Sequence, residues 1–229
     1  MAGGTAVVVG VGPGLGAALC RRFAAEGMTV AAVSRRGDPA LVPEARAYAC
    51  DSTDEAAVES TFSKIEADIG SPGLVVYNAG AFVRGKVTET SAETFRRNWE
   101  TGCFGGFLVG SRAARAMLAA GKGGSIIFTG ATASLRGGAG FVNLAVGKFG
   151  LRALAQSMAR ELGPEGIHVA HVIIDGQILS ERYAQLAAER PQDGLLDPEA
   201  IAASYWHLHT QHRSAWTHEL DVRPWVERF

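Results

Sequence analysis

Cysteine is scarce in this chain: Cys20, Cys50 and Cys103 are the only three in 229 residues, far apart and without paired spacing. An odd, scattered set argues against a disulfide framework and is the usage expected of a reduced, cytoplasmic protein. No apolar run reaches the ~18 residues needed to span a bilayer. A strand-like pattern is under way by about residue 5, which leaves no room for a basic leader segment. Charge of one sign is also lacking. The 22 Lys and Arg nearly balance the 23 Asp and Glu, for a net charge of −1, so neither nucleic acid nor an anionic membrane is an expected partner. Metal-ligand spacing is absent as well. His207, His209 and His212 lie close in sequence, but on a helix 207 and 209 diverge, and no carboxylate or cysteine set lies nearby. No metal is expected. There is no internal repeat, low-complexity tract or domain linker.

What the chain has is apolar residues, 47% of the total, and 29 glycines that punctuate well-patterned runs. Strand-like segments are predicted at Ala6–Gly10, Thr29–Val33, Ala45–Cys50, Leu74–Tyr77, Ser125–Thr129, His168–Ile174 and Thr217–Val222. Helical periodicity is predicted over Leu15–Glu26, Asp54–Ile69, Trp99–Ala120, Val142–Leu162 and Pro198–Leu208, with apolar residues recurring at three and four, as in Leu151, Leu154, Met158 and Leu162. Near-continuous apolar strands alternating with helices predict an α/β chain: one doubly wound parallel sheet of about seven strands, Rossmann-like, with helices on both faces. One domain is expected over 1–229. Ser180–Asp197 is the least patterned stretch, expected to cover a substrate at the C-terminal edge of the sheet.

The first strand runs into Gly10-Val11-Gly12-Pro13-Gly14-Leu15-Gly16 and then a helix. That order presents backbone N–H groups to a pyrophosphate at a helix N-terminus. Gly10 permits the turn, Gly14 leaves room for the phosphate, and Gly16 lets the helix pack close. The second strand ends in Ser34-Arg35-Arg36, two guanidiniums where an NAD site would place a carboxylate for the ribose hydroxyl. They suit a 2′-phosphate, so NADP(H) is the expected cofactor and NAD the less favoured one.

Together with Asp51-Ser52, Tyr77-Asn78-Ala79-Gly80 and Lys148, this layout resembles the short-chain dehydrogenase/reductase family over roughly residues 5 to 222. The resemblance implies a nicotinamide cofactor held by Gly10, Gly12, Gly14, Leu15, Gly16, Ser34, Arg35, Arg36, Asp51, Ser52, Asn78, Ala79, Gly80 and Lys148. Asp51 would accept from the adenine amine. Asp175, Gly176, Ile178 and Ser180 match the stretch that touches the nicotinamide amide, with Asp175 in a proline's place. The family pattern also carries an asparagine, a serine and a tyrosine for proton chemistry. Gly102, Ala131 and Leu144 stand at those positions here, and Lys148 alone remains.

The candidates for proton handling are therefore Lys148, Thr132, Tyr183 and His171. Thr132 follows Ala131, Tyr183 lies in the covering segment, and His171 heads toward the nicotinamide, while His168 points to the opposite face. The expected function is NADP(H)-dependent carbonyl/alcohol hydride transfer on a small-molecule substrate, with a non-standard proton donor. A nucleotide-binding protein without turnover is one alternative. A dehydratase or isomerase using His171 or Asp175 as base is another. The resemblance further implies a homodimer or homotetramer formed through Trp99–Ala120 and Val142–Leu162.

Overall fold

The computed structural model describes residues 3–227. Seven strands form one sheet: β1 (Thr5–Val9), β2 (Thr29–Ser34), β3 (Arg46–Ala49), β4 (Pro72–Tyr77), β5 (Gly124–Thr129), β6 (Ile167–Ile174) and β7 (Glu219–Val222). Their spatial order is β3-β2-β1-β4-β5-β6-β7 and every neighbouring pair is parallel. The helices are α1 (Leu15–Ala25), α2 (Glu55–Ile69), α3 (Ala92–Trp99), α4 (Gly105–Ala120), α5 (Val142–Leu162), α6 (Ala184–Glu189) and α7 (Pro198–Thr210). None among the described residues is long and apolar enough to cross a membrane.

Strand residues alternate between the two faces, and each face has its own core. Ala6 and Val8 of β1 pack with Leu19 and Phe23 of α1 and Tyr205 and Leu208 of α7. Val7 and Val9 join Phe62 of α2, Val109 and Met117 of α4, and Leu151 of α5. Burial on both sides is why β1 and β6 are apolar nearly throughout, and all eight residues of β6 are buried. His168 and His171 sit on opposite faces of β6, as their odd spacing requires.

Two expectations of the sequence are refined by the structure. The helix predicted over Trp99–Ala120 begins earlier, at Ala92: α3 runs into a π-helical stretch at Glu100–Phe104 and then α4. α3 has a legible cap, since Ser91 accepts from the Thr94 N–H, but Phe95 and Trp99 give it only two large apolar residues, too few to reveal a period. The segment 180–197, the least patterned stretch, has short structure of its own. Ile178 bridges Leu196, the Leu179 N–H donates to the Leu196 carbonyl, and α6 lies between. A short helix closed by a two-residue bridge leaves little trace in a periodicity scan.

Candidate active site

Parallel strands place every strand's C-terminal end on one edge of the sheet, and most of the candidate residues lie at or just after those ends, with His171 inside β6 and Lys148 in α5. The order reverses between β1 and β4, and open sheets of this kind bind ligands at such a crevice. Here it is narrow. The Asn78 N–H donates to the Val9 carbonyl, and Asn78 Nδ2 donates to the Gly10 carbonyl at 3.0 Å. Gly10 has φ +94°, and a Cβ there would lie 2.4 Å from the Ala79 nitrogen. Gly10 is therefore fixed by close approach of backbone as well as by the turn. A Cβ on Gly16 would meet Val11 Cα at 2.7 Å, whereas Gly12 and Gly14 face open space. Side chains cap α2, α3 and α7, whereas α1, like α4, α5 and α6, has neither a side-chain cap nor an acidic residue in its first turn. The Ala17 N–H donates back to the Gly12 carbonyl at 3.0 Å, and the N–H groups before it, at the glycine loop, suit an anion.

A cleft of about 1080 Å³ opens over this edge. Gly10, Gly12, Ser34, Arg35, Arg36, Asp51, Ser52, Asn78, Ala79 and Gly80 all line it, with Arg97, Asn98 and Thr101. Leu15 and Gly16 are buried beneath the loop. Ser34 Oγ accepts from the Gly37 N–H at 3.0 Å and tightens the turn that presents Arg35 and Arg36. Asp51 Oδ1 accepts from both the Thr53 N–H and Thr53 Oγ1, which hold its carboxyl below the usual range, with Arg35 and Arg97 adding to the effect. These residues fit a dinucleotide: an uncapped helix, open glycines at the loop, guanidiniums at the β2 end and an ionised carboxylate at the β3 end.

Tyr77 is a local redesign that sequence reasoning left without a role. Its ring is fully buried and its hydroxyl donates to the Thr101 carbonyl at 2.6 Å, inside the π-helical stretch. Ser52 Oγ is 3.4 Å away, so this hydroxyl is turned toward Tyr77, although Ser52 lines the cleft. A Cβ on Gly105 would lie 2.5 Å from the Tyr77 oxygen, and one on Gly106 only 2.4 Å from Leu151 Cδ1. The glycines admit the phenol, and burial pushes its pKa up.

The β5 and β6 ends hold the remaining candidates. Lys148 is buried and Nζ donates to the Thr129 carbonyl at 2.6 Å. Burial pushes its ammonium down to about 8. Thr132 Oγ1 donates to Asp175 Oδ1, and Asp175 Oδ2 pairs with Arg223 at 3.4 Å. Gly176, at φ +152°, lies against Pro224, where a Cβ would approach Cδ to 2.9 Å. Ile178 joins the core, while Ser180 and Tyr183 sit half-buried around the Glu181–Tyr183 turn.

His171, expected to head toward the nicotinamide, is placed in the core. It is fully buried, Nδ1 is 3.1 Å from Glu219 and Nε2 is 3.3 Å from Ser134 Oγ. Ser134 Oγ also accepts from the Ala131 N–H, and Arg152 grips Glu219 at 2.6 and 2.8 Å. With both nitrogens engaged, the imidazole holds the loop after β5 in place and does not face the cleft. Gly102 lies at a helix contact: a Cβ there would sit 3.3 Å from Gly147 Cα. Sequence reasoning missed Asn98, which lines the cleft, is 2% exposed, donates Nδ2 to the Thr94 carbonyl and leaves Oδ1 buried without a partner. The cap at Ser91, which fixes α3, was the available signal.

The family model for short chain dehydrogenase matches residues 4–190. A short-chain dehydrogenase/reductase from Armillaria gallica is 33% identical over 178 residues, covering 73% of this chain and 68% of that protein. The 3-oxoacyl-[acyl-carrier-protein] reductase MabA of Mycobacterium avium is 34% identical over 192 residues, covering 83% and 73%. Among solved structures, a short-chain dehydrogenase from Rhodopseudomonas palustris is 42% identical with a TM-score of 0.83, over 96% of this chain and 98% of that one. The chain belongs to the short-chain dehydrogenase family of oxidoreductases.

Proposed function

We propose that the protein is an NADP(H)-dependent oxidoreductase acting between an alcohol and its carbonyl, with proton handling that departs from the family pattern. The observation that carries the cofactor choice is the pair Arg35–Arg36, which lines the same cleft as the glycine loop. No carboxylate stands at the β2 end itself, and Asp38 beyond it is engaged by the Ala40 N–H. Two guanidiniums match the geometry and charge of a phosphate. The cofactor supplies the hydride chemistry. The chain's part is to hold it, with Lys148 near the ribose, Asp175, Gly176, Ile178 and Ser180 near the amide, and the 180–197 segment over the substrate.

NADPH binds at least tenfold more tightly than NADH in fluorescence titration, and Arg35→Ala/Arg36→Ala removes the difference. Equal affinities in the unmodified protein would refute the assignment. A second reading, nucleotide binding without turnover, draws on Gly102 lying closed against Gly147 and on Leu144 and Ala131. Single-turnover absorbance at the reduced-nicotinamide band across a carbonyl panel separates the two.

The same reading includes a homodimer or homotetramer. Trp99 and Phe107 from the α3–α4 run and Val146 and Phe149 from α5 are exposed. Trp99, Phe104 and Phe107 form a stacked row with centroids 6.0 and 6.4 Å apart. Such side chains are expected to be covered by a second copy. Light scattering at micromolar concentration gives at least twice the chain mass, and Phe107→Glu/Phe149→Glu reduces it to one. A monomeric mass for the unmodified protein contradicts the assembly. Of the closing sequence 223–229, whose apolar side chains are also expected to need cover, Arg228 and Phe229 lie outside the described residues.

A further inference from the structure

The hydroxyl of Thr132 has its hydrogen directed at Asp175, donating to Oδ1. Asp175 is 7% exposed and is fixed at two further points. Its own N–H donates to the Val222 carbonyl, and Arg223 pairs with Oδ2 at 3.4 Å. Arg223 also grips Asp221. Pro224 packs on Gly176, so the β7 end holds the β6 end in register. Thr132, by contrast, is only half-buried. What it offers a ligand at the sheet edge is the lone pairs of Oγ1. An incoming hydroxyl or N–H can donate to them, whereas a bare carbonyl would meet acceptor with acceptor.

We propose that the Thr132–Asp175 pair is a specificity device that selects a hydroxyl-bearing ligand, an alcohol, over the matching ketone or aldehyde. The inference rests on the oxidoreductase reading and deepens it, because it names which side of the alcohol/carbonyl pair the site recognises. It also distinguishes two places a donor could come from: the substrate's hydroxyl, which is the assignment made here, and the carboxamide N–H of a bound nicotinamide.

The test is binding, independent of turnover. 1-Phenylethanol and acetophenone share a carbon skeleton and differ at the donor or acceptor group. Their dissociation constants are measured by ligand-observed magnetic resonance on the protein alone and on the protein saturated with NADP+. The alcohol is expected to bind about fivefold or more tightly than the ketone in both states. Asp175→Asn brings the two to parity or reverses them, because the amide can donate to Thr132 Oγ1 and free its hydrogen for a carbonyl. Thr132→Val abolishes the preference without touching the acid, and Thr132→Ser restores it. Should Asp175→Asn fail to fold, the Thr132→Val and Thr132→Ser pair carries the test.

Equal affinity for alcohol and ketone in the unmodified protein overturns the proposal, as does an alcohol preference that survives Thr132→Val. A preference present in the free protein and lost on saturation with NADP+ assigns the acceptor to the carboxamide and overturns it too. Failure of NADP+ and NADPH to bind at all would instead refute the cofactor reading, and the ligand pair measured on the free protein would still decide the role of Thr132.

Discussion

Ala131→Ser/Leu144→Tyr raises NADPH-driven reduction of simple ketones and aldehydes by on the order of 10²-fold, the usual contribution of one positioned general acid. Leu144 lies one helical turn before Lys148 on α5, so the two side chains project from one face. Lys148 is fixed by the Thr129 carbonyl at 2.6 Å, and its ammonium, pushed down to about 8 by burial, is a charge that would favour phenolate in a neighbouring tyrosine. Leu144 and Ala131 are half-buried and not sealed in the core. From sequence alone, Gly102→Asn would complete the set. A Gly102 Cβ would come within 3.3 Å of Gly147 Cα, a tight contact, so that change is left out of the design. Initial rates between pH 6 and 9 decide the matter, with NADPH affinity measured alongside. A double variant that still binds NADPH but reduces no faster would show that Leu144 does not face the reacting carbonyl. Lys148→Ala in the unmodified protein should chiefly weaken cofactor binding.

Stability should fall steeply in mild acid, and one buried imidazole accounts for a large part of the fall. Burial pushes His171 down to about 4 from its ordinary 6.5, outweighing the attraction of Glu219. A base whose folded pKa is depressed stabilises the fold fully above the unfolded pKa. That stability is lost as pH falls from about 6.5 toward about 4, because the unfolded chain takes up the proton first. The shift amounts to about 3 kcal/mol, a large share of the ~5–15 kcal/mol that holds a typical domain together. Arg152 holds Glu219 below its usual range, so that carboxylate acts in the same sense at still lower pH. Urea unfolding at pH 7.5, 6 and 5 measures the slope. His171→Gln is less stable at pH 7.5, since it loses the contacts to Ser134 and Glu219, but its slope between pH 6 and 5 is shallower by about one proton. An unchanged slope would place the acid sensitivity elsewhere, with His168 and His209, both lowered by burial, the next groups to examine.

The sequence by itself determined the α/β class, the seven parallel strands and the nucleotide edge, because those features are written in short-range patterns. An apolar run such as Ala6–Val9 must be covered on both faces. A glycine loop between strand and helix makes a phosphate cradle, and an aspartate followed by Pro198 starts α7 where Asp197 caps it. The cleft accordingly gathers Arg35, Arg36, Asp51 and Asn78 as their positions after successive strands require. What only the tertiary structure decided are contacts between segments far apart in the chain. Tyr77 needs Gly105 and Gly106 to admit its ring. His171 is claimed by Ser134 and Glu219, and Asp175 by Thr132 and Arg223. Gly102 faces a glycine 45 positions on, Gly147. No local period encodes which polar side chain will meet which across the sheet. Partner identity at 37 to 48 residues of separation follows from register and helix placement, and these exist only once the sheet has closed.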